Sequence, residues 1–231
     1  MAHIPELPKK SAADVSYGIV KAAVSAAPVV GGPASELIGM VFGPPLERRR
    51  DEWFKRLSEA VNEIQASVAE LSTEKLSENE VFVTTAIHAT QIALRTHREE
   101  KLEALRNAVV NAPQAGAPDE TLQQIFLNCV DTLTPMHLRI LTVLHDPNFT
   151  VDGHKQAWPV RMEWKAAMQV LFELIPEMKG QREFYDLIFA DLQQRGLLKP
   201  TSPHQMVAPG GALPPQTTDI GKRFLQFISR R

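Results

Sequence analysis

Apolar side chains recur every three or four residues through most of this chain, the period of a helix with one buried face. The clearest run is Trp53, Leu57, Val61, Ile64, Val68 and Leu71, in a helix beginning after Pro44 and Pro45. Its other face, with Arg48, Arg49, Glu52, Arg56, Glu59 and Glu63, mixes both charges and reads as solvated surface. Ser77-Glu-Asn-Glu80 fits a capping box, which predicts a long helix, or two in series, reaching about residue 112. Its stripe passes through Phe82, Ala86, Ala89 and Ile92 and resumes at Leu102, Leu105 and Val109. The polar centre, Arg95 to Lys101, predicts a crossing of exposed space. After a Pro- and Gly-containing loop at 111–118, Asp119 stands where it can cap a helix carrying Leu122, Phe126, Val130 and Leu133.

Thr134-Pro135 then predicts a helix start, proline being favoured at the first helical position, and Ile140, Leu141 and Leu144 follow on one side. A turn-rich stretch at 146–159 leads to a predicted helix over 163–175 and another over 182–195, with Phe184, Leu187, Ile188 and Leu192 as its stripe. Gly196 sits where a left-handed residue would end it. Residues 199–217 hold five prolines and two adjacent glycines, so they read as a loop or irregular hairpin before a last amphipathic helix with Ile220, Phe224, Phe227 and Ile228. No strand-like alternation competes with these periods. The predicted fold is all-α: a helical bundle over 1–132, then a packed second half over 133–231 with at most a small β-hairpin.

One region departs from this amphipathic pattern. Residues 11–44 are rich in Ala, Gly and Val, and 28–33 (Pro-Val-Val-Gly-Gly-Pro) predicts a break between two short helices. Segment 15–46 carries only Lys21 and Glu36 before residue 46, yet its longest uncharged stretch, 22–35, falls short of the ~20 residues that span a bilayer. Its apolar members Val15, Ile19, Val29, Val30, Leu37, Ile38, Met40, Val41 and Phe42 form a candidate membrane- or partner-binding segment that would act after an activating rearrangement.

Charge narrows the function classes. With 25 Lys and Arg against 27 Asp and Glu, there is no overall positive field to gather nucleic acid or anionic lipid. The lone Cys129 excludes an internal disulfide, and its apolar neighbours predict a buried thiol and a reducing, cytoplasmic setting. The seven histidines fall in no His-Glu-x-x-His pattern. His97 and Glu100 share a helix face, where a solvated polar cluster explains them better than an acid–base pair. Ser25 and Ser35 lack a Gly-x-Ser-x-Gly frame, and no glycine pattern cradles a phosphate. Arg48-Arg49-Arg50 is flanked at once by Glu47, Asp51 and Glu52. The sequence therefore predicts no catalytic residue, cofactor, metal or small-molecule substrate, and no enzyme.

From residue 133 on, three helices, then Arg195-Gly-Leu-Leu198, a loop and Thr217-Thr-Asp-Ile-Gly-Lys-Arg-Phe-Leu225 resemble a winged helix-turn-helix. The resemblance implies a short strand after the third helix, a wing, and a Thr-x-x-Gly turn opening the closing helix. Arg182 and Arg195 would be its DNA contacts. Glu183, Asp186 and Asp191 leave that helix net acidic, however, so a structural or protein-binding wing is the favoured reading and a DNA-binding transcription regulator the alternative. The full order, with residues 28–46, Leu133-Thr-Pro-Met-His-Leu-Arg-Ile-Leu141, 192–198 and Thr218-Asp-Ile-Gly-Lys-Arg-Phe224, resembles the bacterial abortive-infection alpha type of protein. That resemblance implies a phage-defence role and assigns no catalytic residue. The combined expectation is a non-enzymatic interaction or effector protein with a protein partner or self-association, membrane contact only after activation, and no nucleic acid.

Overall fold

A computed structural model of the chain describes residues 40, 43–67, 72–145, 165–166, 171–172, 174–202, 204, 206–207 and 215–230. Two compact units are present, 1–55 and 56–231. Of the first, Met40 and 43–55 are described, the latter including the start of helix α1 (Pro44–Ser67). Pro44 and Pro45 open α1, since its first amides need no partner within the helix. Trp53 is buried, as are Ala60 and Ile64 farther along α1. Leu57 and Val61 of the expected stripe are half-buried, and Val68 and Leu71 lie outside the described residues.

The second unit continues with α2 (Thr73–Glu78), α3 (Glu80–Arg95), α4 (Glu99–Asn111), α5 (Glu120–Thr132) and α6 (Pro135–His145), then α7 (Arg182–Gln194) and α8 (Asp219–Ile228). Helix dominates the described residues, as the apolar period requires. The predicted capping box at Ser77 is not the one used. Ser77 lies inside α2 and donates its hydroxyl to the Glu74 carbonyl at 2.7 Å, whereas Asn79, in extended backbone, accepts from the Phe82 amide at 3.0 Å and starts α3. Of the two forms expected up to residue 112, the chain takes two helices in series, Glu80–Arg95 and Glu99–Asn111. Thr96 adopts φ −115°, ψ 152°, and the polar residues after it form the turn that lets α4 pack against α3. Lys101, expected in exposed space, is buried and donates to the Asp131 carbonyl at 2.6 Å, and burial lowers its pKa.

The core forms where α4 packs on α3, α5 and α8. Phe126 of α5 meets Phe224 edge-on, with ring centres 5.4 Å apart, and Phe227 at 5.9 Å, so the closing helix is anchored to the middle of the chain. Asp119 caps α5, accepting from the Leu122 amide at 3.0 Å. Thr218 caps α8 by accepting from the Gly221 amide at 3.0 Å, the predicted Thr-x-x-Gly turn. A Cβ at Gly221 would lie 2.1 Å from the Leu197 carbonyl oxygen, so only glycine lets α8 start this close to the chain leaving α7. Gly196 has φ +69°, the left-handed stop expected there.

Extended structure among the described residues is slight. Leu198 bridges Thr217, flanked by Lys199 N–H to the Gln216 carbonyl at 2.8 Å and Thr218 N–H to the Leu197 carbonyl at 3.1 Å. Lys165–Ala166 pairs antiparallel with Met206–Val207, which corrects the helix expected over 163–175. The partners that 165–166 find across this ladder displace the intrahelical ones, and the described helical residues of that stretch are 171, 172 and 174.

Candidate interaction surface

Helix α7 is built from a sequence with too many apolar residues for one buried face. Gly180, at φ +79°, turns the chain out of a short 3₁₀ segment (Pro176–Met178), and α7 follows. Tyr185, Ile188, Phe189 and Leu192 fill the inner face. Tyr185 meets Phe172 edge-on at 5.5 Å and lies 6.1 Å from the His204 ring. Phe184 and Leu187 face outward at 44% and 67% exposure, one turn apart, next to the exposed Ala190. The sequence reading names Phe184 and Leu187 together with Ile188 and Leu192 as the apolar positions of this helix, and only the latter two are buried. The signal it passed over was the width of the apolar arc: Phe184, Tyr185, Leu187, Ile188, Phe189 and Leu192 cannot all face one neighbour.

Arg182 and Asp186, and Asp191 and Arg195 at the end of α7, are tied in pairs. Arg182 Nε lies 3.5 Å from Asp186 Oδ2, one turn on, and His204 Nε2 lies 3.0 Å from the other Asp186 oxygen. Arg195 donates to Asp191 Oδ1 and to Thr132 Oγ1, both at 2.9 Å. The two arginines singled out as DNA contacts are thus each paired with a carboxylate of the same helix.

Asp191 also faces His137, whose Nε2 is 3.4 Å away. His137 Nδ1 takes the Thr134 backbone N–H at 3.3 Å and lies 2.7 Å from the Thr134 hydroxyl oxygen. Accepting a backbone N–H fixes the neutral ring's proton on Nε2, toward Asp191. The order Thr134, His137, Asp191 matches that of a nucleophile, base and acid. Its place explains it otherwise: at the start of α6, His137 reaches back to the residue before the helix as the glutamate of a capping box does. Burial is the largest effect on His137 and lowers its pKa, opposed by Asp191 and reinforced by Arg195. Cys129, beside Arg195, is buried, and burial pushes its thiol pKa up, which disfavours the reactive thiolate.

On the opposite flank of α6, an open groove of about 610 Å³ runs between α4, α6 and α8. Leu138, Val143, Leu174, Ile175, Leu225 and Ile228 supply its apolar lining. Its end is held by two buried asparagines of α4. Asn107 Nδ2 donates to the Ile228 carbonyl at 3.1 Å, and Asn111 Nδ2 to those of Phe227 at 2.8 Å and Ser229 at 2.9 Å, carbonyls that the end of α8 would otherwise leave open.

Among the residues of the candidate membrane or partner segment, Met40 is described, at 58% exposure. Val15, Ile19, Val29, Val30, Leu37, Ile38, Val41 and Phe42 lie outside the described residues, as do Trp158 and Trp164. His97 and Glu100 are both exposed. No helix among the described residues is long and apolar enough to cross a membrane. No protein-family model matches the chain, and no curated protein or solved structure matches it either.

Proposed function

We propose that this chain is a non-enzymatic interaction protein that engages a protein partner through the outer face of α7. The observation carrying this reading is the pairing on one helix of exposed Phe184 and Leu187 with arginines already bound to Asp186 and Asp191. An apolar strip on a solvated helix gains by being covered, whereas a helix that reads DNA needs unpaired cations facing phosphates. The setting in this reading is bacterial phage defence, on the strength of the residues that resemble abortive-infection alpha proteins. Segment 15–46 would act as a second, latent element toward a membrane or partner.

The test has two arms. Purified chain is titrated with duplex DNA at physiological salt, where no tight binding is expected. Bacteria carrying the full chain, or Phe184→Ser with Leu187→Asp, are challenged with phage, and the full chain is expected to protect while the double variant, equally abundant, does not. Tight, sequence-selective DNA binding lost on changing Arg182 or Arg195 would replace this reading with the regulator. Equal protection by both chains would remove α7 from the role.

A further inference from the structure

The groove between α4, α6 and α8 is independent of α7's outer face, and its two lips differ in charge. On the α6 and α8 side the cations are engaged: Arg139 pairs with Glu177, and Arg230 lies 3.9 Å from Glu63, which also binds Arg106. On the α4 lip Glu100 and Glu103 are exposed, three residues apart on one helical side, and neither has an ion pair with a described residue. Glu99 next to them is different, since Arg56 holds both its oxygens at 2.8 and 2.9 Å. The groove therefore presents an apolar floor with unbalanced negative charge along one edge.

We propose that this groove is a docking site for a basic amphipathic helix of a partner protein, its apolar side against Val143, Leu174 and Leu225 and its Lys or Arg residues along Glu100 and Glu103. Three helices already define the trough, and a fourth laid into it would meet side chains at successive turns, the geometry of helix-in-groove recognition. The volume falls within the range of ligand pockets, but the trough is open along one side, which suits an elongated occupant covered on one face better than a small molecule enclosed on all. Charge selects the occupant's sign. An acidic helix would meet Glu100 and Glu103 with like charge, and Arg139 opposite is already paired with Glu177.

The full-length chain, isotopically labelled, is titrated with an amidated 14-residue peptide of leucine and lysine patterned as an amphipathic helix. A scrambled peptide of the same composition and a leucine–glutamate peptide of the same pattern serve as controls. The patterned basic peptide is expected to bind and to shift the methyl signals of Leu138, Val143 and Leu225. Glu100→Gln with Glu103→Gln should weaken it by about fivefold to tenfold, with less dependence on salt, the effect of losing two partly exposed ion pairs. Both glutamates are exposed, so the variant's unfolding temperature should match the parent's and serves as the control for folding. Equal binding of the scrambled or the acidic peptide, shifts confined to α7, or affinity unchanged in the double variant would each overturn the proposal. So would contacts, in the peptide-free chain, between residues 146–164 and Val143 or Leu225, which would mean that the chain fills its own groove.

Discussion

The seam between α4 and α8 and the outer face of α7 use similar residues in opposite ways. In the seam, Phe224 and Phe227 are sealed against Phe126, and Asn107 and Asn111 are buried with their amides donating to the end of α8. On α7, Phe184 and Leu187 face solvent, while Arg182 binds Asp186 and Arg195 binds Asp191. The seam holds the fold. The α7 face leaves apolar area open to solvent, and the proposed recognition role rests on that surplus.

The largest expected effect is in the seam. Phe126→Ala should cost roughly 3–5 kcal/mol, since it leaves a cavity against two fixed rings, and chemical denaturation would read it. A loss no larger than that of a surface change would mean that the seam is not the anchor. Next, Asn111→Ala should cost about 1–3 kcal/mol by the same measurement, because the Phe227 carbonyl loses its donor in a buried place and the Ser229 carbonyl loses one in a half-buried place.

The seam was half legible in the sequence. Phe126, Phe224 and Phe227 stand on clear helical stripes, and Asp119, Thr218 and Gly196 act as their residue types predict. Asn107 and Asn111 gave no sign, because an asparagine inside a helix is ordinary surface until the end of a helix more than a hundred residues away arrives to place its carbonyls beside it. The α2–α3 boundary was misread for a similar reason: Ser77 and Asn79 are both capable caps, and which one acts depends on where the preceding helix stops. On α7 the i, i+4 spacing of Arg182 with Asp186 and of Asp191 with Arg195 carries their pairing, although the sequence reading used these residues only for net charge and DNA contact. His204, approaching Asp186 from eighteen residues away, has no such spacing.

A third prediction concerns His137, which joins the start of α6 to Asp191 of α7. Burial lowers its pKa in the folded chain below the ordinary 6.5, so as pH falls toward that value the unfolded chain binds more protons. Stability should therefore decline on acidification from about pH 7.5 to about pH 5.5, and His137→Gln should flatten that part of the profile in thermal melts. A parent profile that rises on acidification would show that Asp191 outweighs burial. The smallest effect belongs to α7: Leu187→Asp should change stability by no more than about 0.5 kcal/mol, since the side chain touches little. A large loss would mean that Leu187 is packed in the folded chain and is no free surface.

The most direct measurement replaces Leu187 with a photoreactive amino acid in the full-length chain, expressed in bacteria and illuminated, with the same probe at exposed Ile87 of α3 as the control. If α7's outer face is the recognition surface, position 187 yields a discrete protein adduct that position 87 does not, and Phe184→Ser removes it. Adducts to nucleic acid at 187, or the same pattern at both positions, would contradict the account.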